Sequence, residues 1–334
     1  MIKYRNMASY RFCRQHFLGI IFLCGTALFA SGRKELKGAP KETVIDVLTV
    51  ISETEAPIDV ADADGPVMAE LAMKAFAEAY PTRISPAQFR GGDWAVQVYG
   101  KWFYYAEGRF LPEELRDKAA EYSSHTLYYY PLELPPWEKP TEEVAERLRR
   151  MEEDRSNNPI KRSQHFLNAL WRAETRDDAW DRVKQIRFLG HSILAHYSIL
   201  EVLCLIEEKI LLESKKNAAV RKWMNELDDN TQAWNWREIA DSSNRSFHSY
   251  GVAIDLLPKS LKGLETYWLW AKRANLEWWN VPYSKRYHPP LEVIKIFESY
   301  GFIWGGKWRI YDTMHFEYRP EILIYNNYPM EQFR

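Results

Sequence analysis

The stretch NRSFHSYGVAIDLLP, residues 244–258, combines apolar alternation with two side chains that can bind a ligand. Read as a strand, GVAIDLL alternates between an apolar core face and a face on which Asp255 stands beside small residues. Small residues next to an acid leave open volume for a ligand or a metal ion. Gly251 lets the backbone bend, so that His248 folds back over Asp255. The stretch therefore predicts a site held between His248 and Asp255.

Composition predicts a folded globular protein and argues against one class of partner. The chain has 334 residues, of which 46% are hydrophobic and 27% charged. Its formal net charge is −1, and no long basic run follows the N-terminal segment, so nucleic acid is not an expected partner. Cys13 and Cys24 lie in that segment, which leaves Cys204 alone in the rest of the chain. Neither an intramolecular disulfide nor a thiolate metal site is expected there.

The N-terminus has the pattern of an export signal. Basic residues precede the uncharged run FLGIIFLCGTALFA, which ends in small residues and is short for a membrane span. We expect a signal peptide over residues 1–32, cleaved after Ala30 or Gly32, and no stable membrane span afterwards. An uncleaved N-terminal anchor is the alternative. Either way, the sequence predicts a secreted or periplasmic protein.

The remaining chain divides into a tether and two folded regions. Residues 33–65 are polar and acidic and form the tether; residues 66–155 are expected to form an accessory α/β region, and residues 160–334 the main domain. DWAVQVYGKWFYYAEGRFLP predicts a hairpin around Gly100, and ILAHYSILEVLCLIEEKILLESKK predicts a helix. The fold class is α+β: a small antiparallel sheet with flanking helices, its strands concentrated in the last third, preceded by the smaller mixed region.

A third candidate ligand, His315, follows in DTMHFE. Two histidines and a carboxylate are a common ligand set for catalytic zinc, which lowers the pKa of a bound water to about 7. A nearby carboxylate must then accept the proton of that water. Asp312 can reach it if the segment turns, and Glu317 is the alternative because it shares the face of His315 on an extended strand. Glu317 could instead orient a ligand, and the spacing alone fits purely structural residues equally well.

These residues resemble a known family. Ser246-x-His248-x-x-Gly251-x-Ala253-x-Asp255 resembles the SxHxxGxAxD motif of the D-alanyl-D-alanine carboxypeptidase and dipeptidase family of zinc peptidases, which share a fold with the hedgehog signalling domain. The later GGKWRIYDTMHFE is similar to the (Asp/Glu)-x-x-His element of that family. The resemblance covers about residues 183–321 and does not extend to the first region.

The resemblance implies a Zn²⁺ centre and a role for each residue that matches the motifs. It implies His248, Asp255 and His315 as zinc ligands and Asp312 as the catalytic acidic residue. An aspartate there is more typical of the branch that resembles L-alanyl-D-glutamate endopeptidases and VanY-like proteins, so the cleaved bond is left open. The family's upstream arginine, which binds the substrate carbonyl or carboxylate, matches Arg237.

The implied partner is a peptidoglycan stem peptide, and the implied reaction is hydrolysis of one of its peptide bonds. Arg221 is the fallback for Arg237. Ser246, Glu317 and Trp304 are expected to contact the substrate or to hold the ligands in place. The alternative function is a catalytically silent, zinc-containing module that binds the cell wall or signals. Three other histidines are expected to be structural or in loops: His191, His196 and His288.

Overall fold

The computed structural model describes residues 66–125, 127–157, 160–239 and 244–331. The predicted signal and tether, residues 1–65, lie outside these described ranges. No helix among the described residues is both long and apolar enough to cross a bilayer. The protein is α+β, as the sequence predicts, with small antiparallel sheets and flanking helices.

The N-terminal region consists of one helix and a four-stranded antiparallel sheet in the order β1-β2-β3-β4. The predicted hairpin is confirmed, because Val98 pairs with Lys101 across a two-residue turn. Tyr99 and Gly100 occupy that turn with φ of 49° and 86°, as a type I′ turn requires. The elements are α1 (Pro66–Ala79), β1 (Gln88–Arg90), β2 (Asp93–Val98), β3 (Lys101–Tyr104), β4 (Leu111–Pro112) and a 3₁₀ segment (Glu113–Glu121).

The middle of the chain is helical apart from one hairpin. Its elements are α2 (Glu142–Asn157), α3 (His165–Trp171), α4 (Arg176–Arg182), β5 (Val183–Phe188), β6 (His191–His196), α5 (Leu200–Lys216) and α6 (Ala218–Asn225). The sequence predicts one helix from Ile193 onward, and the structure corrects this: β6 ends at His196 and α5 begins at Leu200. The reason is tertiary, because β6 pairs along its whole length with β5.

The last third carries a three-stranded antiparallel sheet in the order β7-β9-β8. Its strands have only three or four residues, so the expectation that strands concentrate here is wrong; the largest sheet lies in the N-terminal region. The predicted helix from Leu291 is confirmed. The elements are a 3₁₀ turn (Phe247–Tyr250), β7 (Ala253–Asp255), α7 (Trp268–Ala274), α8 (Leu291–Ser299), β8 (Phe302–Trp304), β9 (His315–Tyr318) and α9 (Pro320–Tyr325).

The hydrophobic core is continuous across the boundary that the sequence predicts between residues 155 and 160. Helix α1 packs against α9. The Phe76 ring meets Phe166 at a centroid distance of 4.9 Å, and the Tyr80 ring meets Trp171 at 5.6 Å. A smaller apolar cluster joins α2 to the last third through Leu148, Trp268 and other buried residues. The two parts share one interior, and the division into an accessory region and a main domain stays a prediction.

A buried histidine in β6 makes the stability of the fold depend on pH. His196 Nε2 lies 3.1 Å from the Trp171 carbonyl oxygen, and its Nδ1 lies within hydrogen-bond distance of Ser198. Burial lowers the pKa of His196 from 6.5 to about 4. In the unfolded chain His196 therefore becomes protonated as the pH falls below 6.5, whereas in the folded protein it becomes protonated only near pH 4.

We expect stability to be lost as the pH falls through this window, by about 3 kcal/mol from His196 alone. Urea unfolding of wild-type protein and of His196→Gln at neutral and mildly acidic pH measures the effect. The variant is expected to be less stable at neutral pH but to lose less on acidification. His288→Gln is the control, because it makes the same substitution at an exposed histidine in a loop. Equal acid sensitivity of His196→Gln and wild type would contradict the assignment.

Candidate metal centre

A capped 3₁₀ turn presents His248. The Ser246 hydroxyl accepts a hydrogen bond from His248 N at 3.3 Å, which begins the turn, and Gly251 ends it with φ of 69°. Ser246 therefore shapes the backbone that carries the imidazole. The turn also packs along residues 235–237, since Asn235 N donates to the His248 carbonyl at 3.1 Å.

Gly251 is needed for close packing as well as for the bend. A Cβ at this position would lie 2.8 Å from Val183 Cγ1 and 2.9 Å from His196 N. The sequence predicts a bend at Gly251, and this is confirmed. It also predicts open volume on this face beside Asp255, but the space at Gly251 is filled by the β5–β6 hairpin, which supports the His248 turn from behind.

Strand pairing brings Asp255 and His315 together. The two residues are directly opposite each other in the β7–β9 ladder, and Ala253 is opposite Glu317. Directly opposed residues of an antiparallel pair project to the same face, so Asp255, His315 and Glu317 share one face of the sheet. The face predicted for Asp255 by alternation is thus the one that carries the site.

The inward atoms of His248, Asp255 and His315 converge. His248 Nε2 lies 3.2 Å from His315 Nδ1 and 3.2 Å from Asp255 Oδ2, and His315 Nδ1 lies 2.8 Å from Asp255 Oδ1. One ligand atom from each residue lies within 4.8 Å of the others. Ligand atoms of a tetrahedral zinc ion, each at ~2.0–2.2 Å from it, lie about 3.3 Å apart. The spacing therefore fits a single cation of this kind.

Hydrogen bonds to the outer nitrogens prepare both imidazoles for such a cation. His248 Nδ1 lies 2.6 Å from the Ala233 carbonyl oxygen, which can only accept, so this nitrogen carries the hydrogen. In the neutral ring Nε2 then holds the lone pair that faces Asp255. His315 Nε2 lies 3.0 Å from Glu317 Oε1, so Nδ1 is the inward atom of that ring. Metal-binding histidines are typically fixed in this way, so these donor atoms suit a metal ion.

The charges of the centre are strongly coupled. Burial opposes the charge on Asp255, but the neighbouring His248 and His315 outweigh it and hold its pKa well below the ordinary value. Burial disfavours a charged His315, yet its hydrogen bonds to Asp255 and Glu317 hold its pKa well above the ordinary value. A cation that binds at His315 Nδ1 therefore has to displace a proton, because metal ions bind the deprotonated nitrogen.

Asp312 lies at the edge of this centre on a pinned loop. Its backbone N donates to the Gly305 carbonyl at 3.0 Å, and the segment forms a short antiparallel bridge with Tyr267. Asp312 Oδ1 is buried and has no hydrogen-bond partner among the residues that the structure describes. Burial raises the pKa of Asp312 to about 7; His315 lowers it and Asp255 raises it. The structure thus provides an unsatisfied carboxylate beside the three converging groups.

Glu317, the alternative base, is already engaged. Its Oε1 faces His315 Nε2, and its Oε2 lies 3.4 Å from Arg319 Nη1. Burial raises its pKa, but His315 and Arg319 outweigh this and lower it. Glu317 therefore behaves as a charged partner that orients His315, whereas Oδ1 of Asp312 is buried without a hydrogen-bond partner among the described residues.

Arg237 lies beside the His248 turn. Its backbone N donates to Ser249 Oγ at 2.9 Å, and its carbonyl accepts from Ser246 N at 3.1 Å. The side chain is exposed, and its charge lowers the pKa of Asp312, which puts the guanidinium within electrostatic range of the centre. Arg221, the fallback, donates instead to the Ser214 carbonyl oxygen at the end of α5.

Trp304 supports the loop that carries Asp312, and Trp308 lies next to the candidate metal centre. Trp304 is buried, and its indole Nε1 donates to the Thr313 carbonyl at 2.8 Å. Its ring lies directly beneath Gly306, where any Cβ would collide with it. Trp304 therefore supports this loop, and its contact with a substrate stays a prediction. Trp308 lies next to the centre, with its ring centroid 5.7 Å from that of His315.

The other histidines named in the sequence lie elsewhere. His191 lies 3.3 Å from Asp229 near the surface, His196 is fixed between Trp171 and Ser198, and His288 is in a loop. Within the described ranges, the cluster of His248, Asp255 and His315 is the one group with metal-ligand geometry.

Comparisons with known proteins agree with this placement. Residues 240–318 match the sequence model of a family described as D-alanyl-D-alanine carboxypeptidase. Residues 72–127 match the model of a domain of unknown function. No curated protein and no solved structure matches the chain. The first match contains the three converging residues and Asp312, spans about a quarter of the chain, and supports a peptidase domain there.

Three parts of the site could not be found from the sequence. The acceptor that fixes His248 is the backbone carbonyl of Ala233, and every residue has such a carbonyl, so the residue type at this position does not reveal its role. Trp308 is one of many tryptophans, and its position beside His315 depends on the fold of the loop. Arg319 and Glu321 follow Glu317 at intervals of two residues, but an alternation of charges at a strand end is common and specifies nothing by itself.

Proposed function

We propose that the protein is a zinc-dependent peptidase that hydrolyses the stem peptides of peptidoglycan. The observation that carries the proposal is the convergence of His248, Asp255 and His315 beside the unsatisfied carboxylate of Asp312. The match of residues 240–318 to a carboxypeptidase family supports the same conclusion. The N-terminal pattern of an export signal is consistent with a substrate outside the cytoplasm.

In this proposal each residue has one task. His248 Nε2, Asp255 and His315 Nδ1 hold the cation, and Glu317 keeps His315 in the required tautomer. A bound zinc ion supplies Lewis-acid polarisation of the scissile carbonyl and acidifies the attacking water. Asp312 accepts the proton of that water and passes it to the leaving amine, a task that suits a carboxyl group with a pKa near 7.

Arg237 is proposed to face the substrate. Its guanidinium is exposed on the segment that runs along the His248 turn, so it can bind a carbonyl oxygen or a terminal carboxylate next to the centre. A terminal carboxylate would favour release of D-alanine, whereas an internal carbonyl would favour cleavage within the stem. The aspartate at position 312 resembles the residue found in the endopeptidase branch. A substrate that contains both the terminal bond and the bonds within the stem distinguishes the two reactions.

A catalytically silent zinc module is the second candidate. It would need the three ligands but would have no use for a buried, unsatisfied carboxylate, which costs free energy in the folded state. Asp312 therefore favours hydrolysis over binding alone.

The proposal is tested by incubating the zinc-loaded protein with a defined muropeptide that carries a complete pentapeptide, and by following the products by mass spectrometry. We expect loss of a terminal D-alanine or cleavage within the stem, and no product from chelated protein or from Asp255→Ala. Zinc-loaded protein that binds the muropeptide without cleaving it would favour the silent module instead. Protein that binds no zinc would contradict both.

A further inference from the structure

A buried chain of polar contacts runs from the metal centre to the N-terminal region. His315 Nε2 faces Glu317 Oε1 at 3.0 Å, and Glu317 Oε2 faces Arg319 Nη1 at 3.4 Å. Arg319 Nε donates to Glu321 Oε1, and Glu321 Oε2 accepts from the hydroxyl of Tyr80 at 2.7 Å. Tyr80, Glu317 and Glu321 are all buried. The contacts therefore form one continuous path of hydrogen bonds and ion pairs.

Tyr80 is fixed at its end of this chain. It follows α1 directly, and its backbone N donates to the Phe76 carbonyl at 3.1 Å. Its ring packs edge-on against Trp171 at 5.6 Å and against Tyr318, the neighbour of Glu317 on β9, at 6.4 Å. Burial and the charge of Glu321 hold the pKa of Tyr80 well above its ordinary value, so the hydroxyl remains a donor.

Arg319 is shared between two carboxylates, and the Tyr80 hydroxyl affects how strongly it binds each of them. Its guanidinium also lies over the ring of Phe247, at 4.5 Å, next to His248. Glu321 and Glu317 both form ion pairs with the Arg319 guanidinium, and the contact to Glu317 is the longer one. The Tyr80 hydroxyl satisfies one oxygen of Glu321. Without this hydroxyl, Glu321 would attract the Arg319 guanidinium more strongly and weaken its contact with Glu317. Glu317 would then fix the orientation of His315 less firmly.

We propose that Tyr80 is a positioning residue for the metal ligand His315, acting through Glu321, Arg319 and Glu317. The N-terminal region thereby sets the affinity of the centre for its cation. This inference rests on the proposed zinc site but adds a role for a region that lies outside the peptidase match.

The test compares two Tyr→Phe variants that each remove one tyrosine–glutamate hydrogen bond from the N-terminal region. Tyr80→Phe breaks the path to the centre, whereas Tyr104→Phe removes the bond to Glu113, which is not part of it. Zinc affinity is measured by competition with a chromophoric chelator, and the absorption spectrum of the Co²⁺-substituted protein reports ligand geometry. We expect Tyr80→Phe to bind zinc about threefold to tenfold more weakly and to shift the cobalt spectrum, and Tyr104→Phe to match wild type.

A double variant separates action through Glu317 from a general loss of packing. Glu317→Gln is expected to weaken zinc binding by about 10–100-fold, and adding Tyr80→Phe to it should cost little more. Arg319→Lys, which loses the forked contact, provides a second way to break the path and is expected to weaken zinc binding at least as much as Tyr80→Phe.

The outcomes distinguish this inference from the proposed function. Zinc binding by Tyr80→Phe and Arg319→Lys that equals that of Tyr104→Phe would overturn the inference and leave the peptidase proposal intact. Full additivity of Tyr80→Phe and Glu317→Gln would also overturn it, because the two residues would then act independently. Wild-type protein without zinc affinity would instead contradict the proposed function.

Discussion

Asp312→Asn is expected to lower the turnover of a stem peptide by about 10²–10⁴-fold, because an amide cannot accept the proton of the attacking water. Zinc binding should be retained, since Asp312 is not one of the three converging ligands. The variant should also be at least as stable as wild type. The substitution removes a carboxylate whose Oδ1 is buried without a partner among the described residues, and a neutral amide costs less to bury.

The measurements are steady-state kinetics on a defined muropeptide, zinc competition and thermal unfolding. Asp181→Asn is the matched control, because Asp181 is exposed on α4 and should leave all three unchanged. A variant that turns over the substrate at the wild-type rate would exclude Asp312 as the proton acceptor. Glu317 would then be the next residue to examine.

Gly251→Ala is expected to destabilise the fold by about 3–5 kcal/mol. The substitution combines a left-handed backbone, with φ of 69°, and a Cβ that collides with Val183 and with the backbone of His196. His196 N donates to the Gly251 carbonyl at 2.8 Å, so the hairpin cannot move away without losing that bond. Because the same turn presents His248, zinc affinity should fall as well.

Gly263→Ala is the control that isolates the cost of the backbone from the cost of the collision. Gly263 has φ of 79°, but nothing lies within 4 Å of a Cβ built there. We expect it to cost about 1 kcal/mol and to leave zinc binding unchanged. Urea unfolding and zinc competition on both variants provide the measurements. Equal losses of stability in the two would show that the contact with β5 and β6 does not matter.

The local parts of the site could be predicted because they depend on alternation and on one motif. Asp255 lies on the face that the strand pattern assigns to it, and the structure brings it together with His248 and His315. The hairpin at Gly100 was predictable for the same reason, since turn and strands are adjacent in sequence.

What could not be predicted depends on partners that are distant in sequence. The apolar residues of β6 continue the helical pattern that follows them, but the segment forms a strand because it pairs with β5. Tyr80 precedes Glu321 by 241 positions, and no local pattern connects them. The same holds for the supporting position of Trp304, which depends on where Thr313 lies after the loop has folded.

The continuous interior limits how this chain can be divided into fragments that fold. The stretches that match two separate family models, residues 72–127 and 240–318, bury their apolar side chains in the same core. A fragment that begins at residue 160 would uncover the aromatic surface that α1 and the Tyr80 ring now shield, including Trp171 and Tyr318. Neither stretch is therefore expected to keep its native surface when it is expressed without the other.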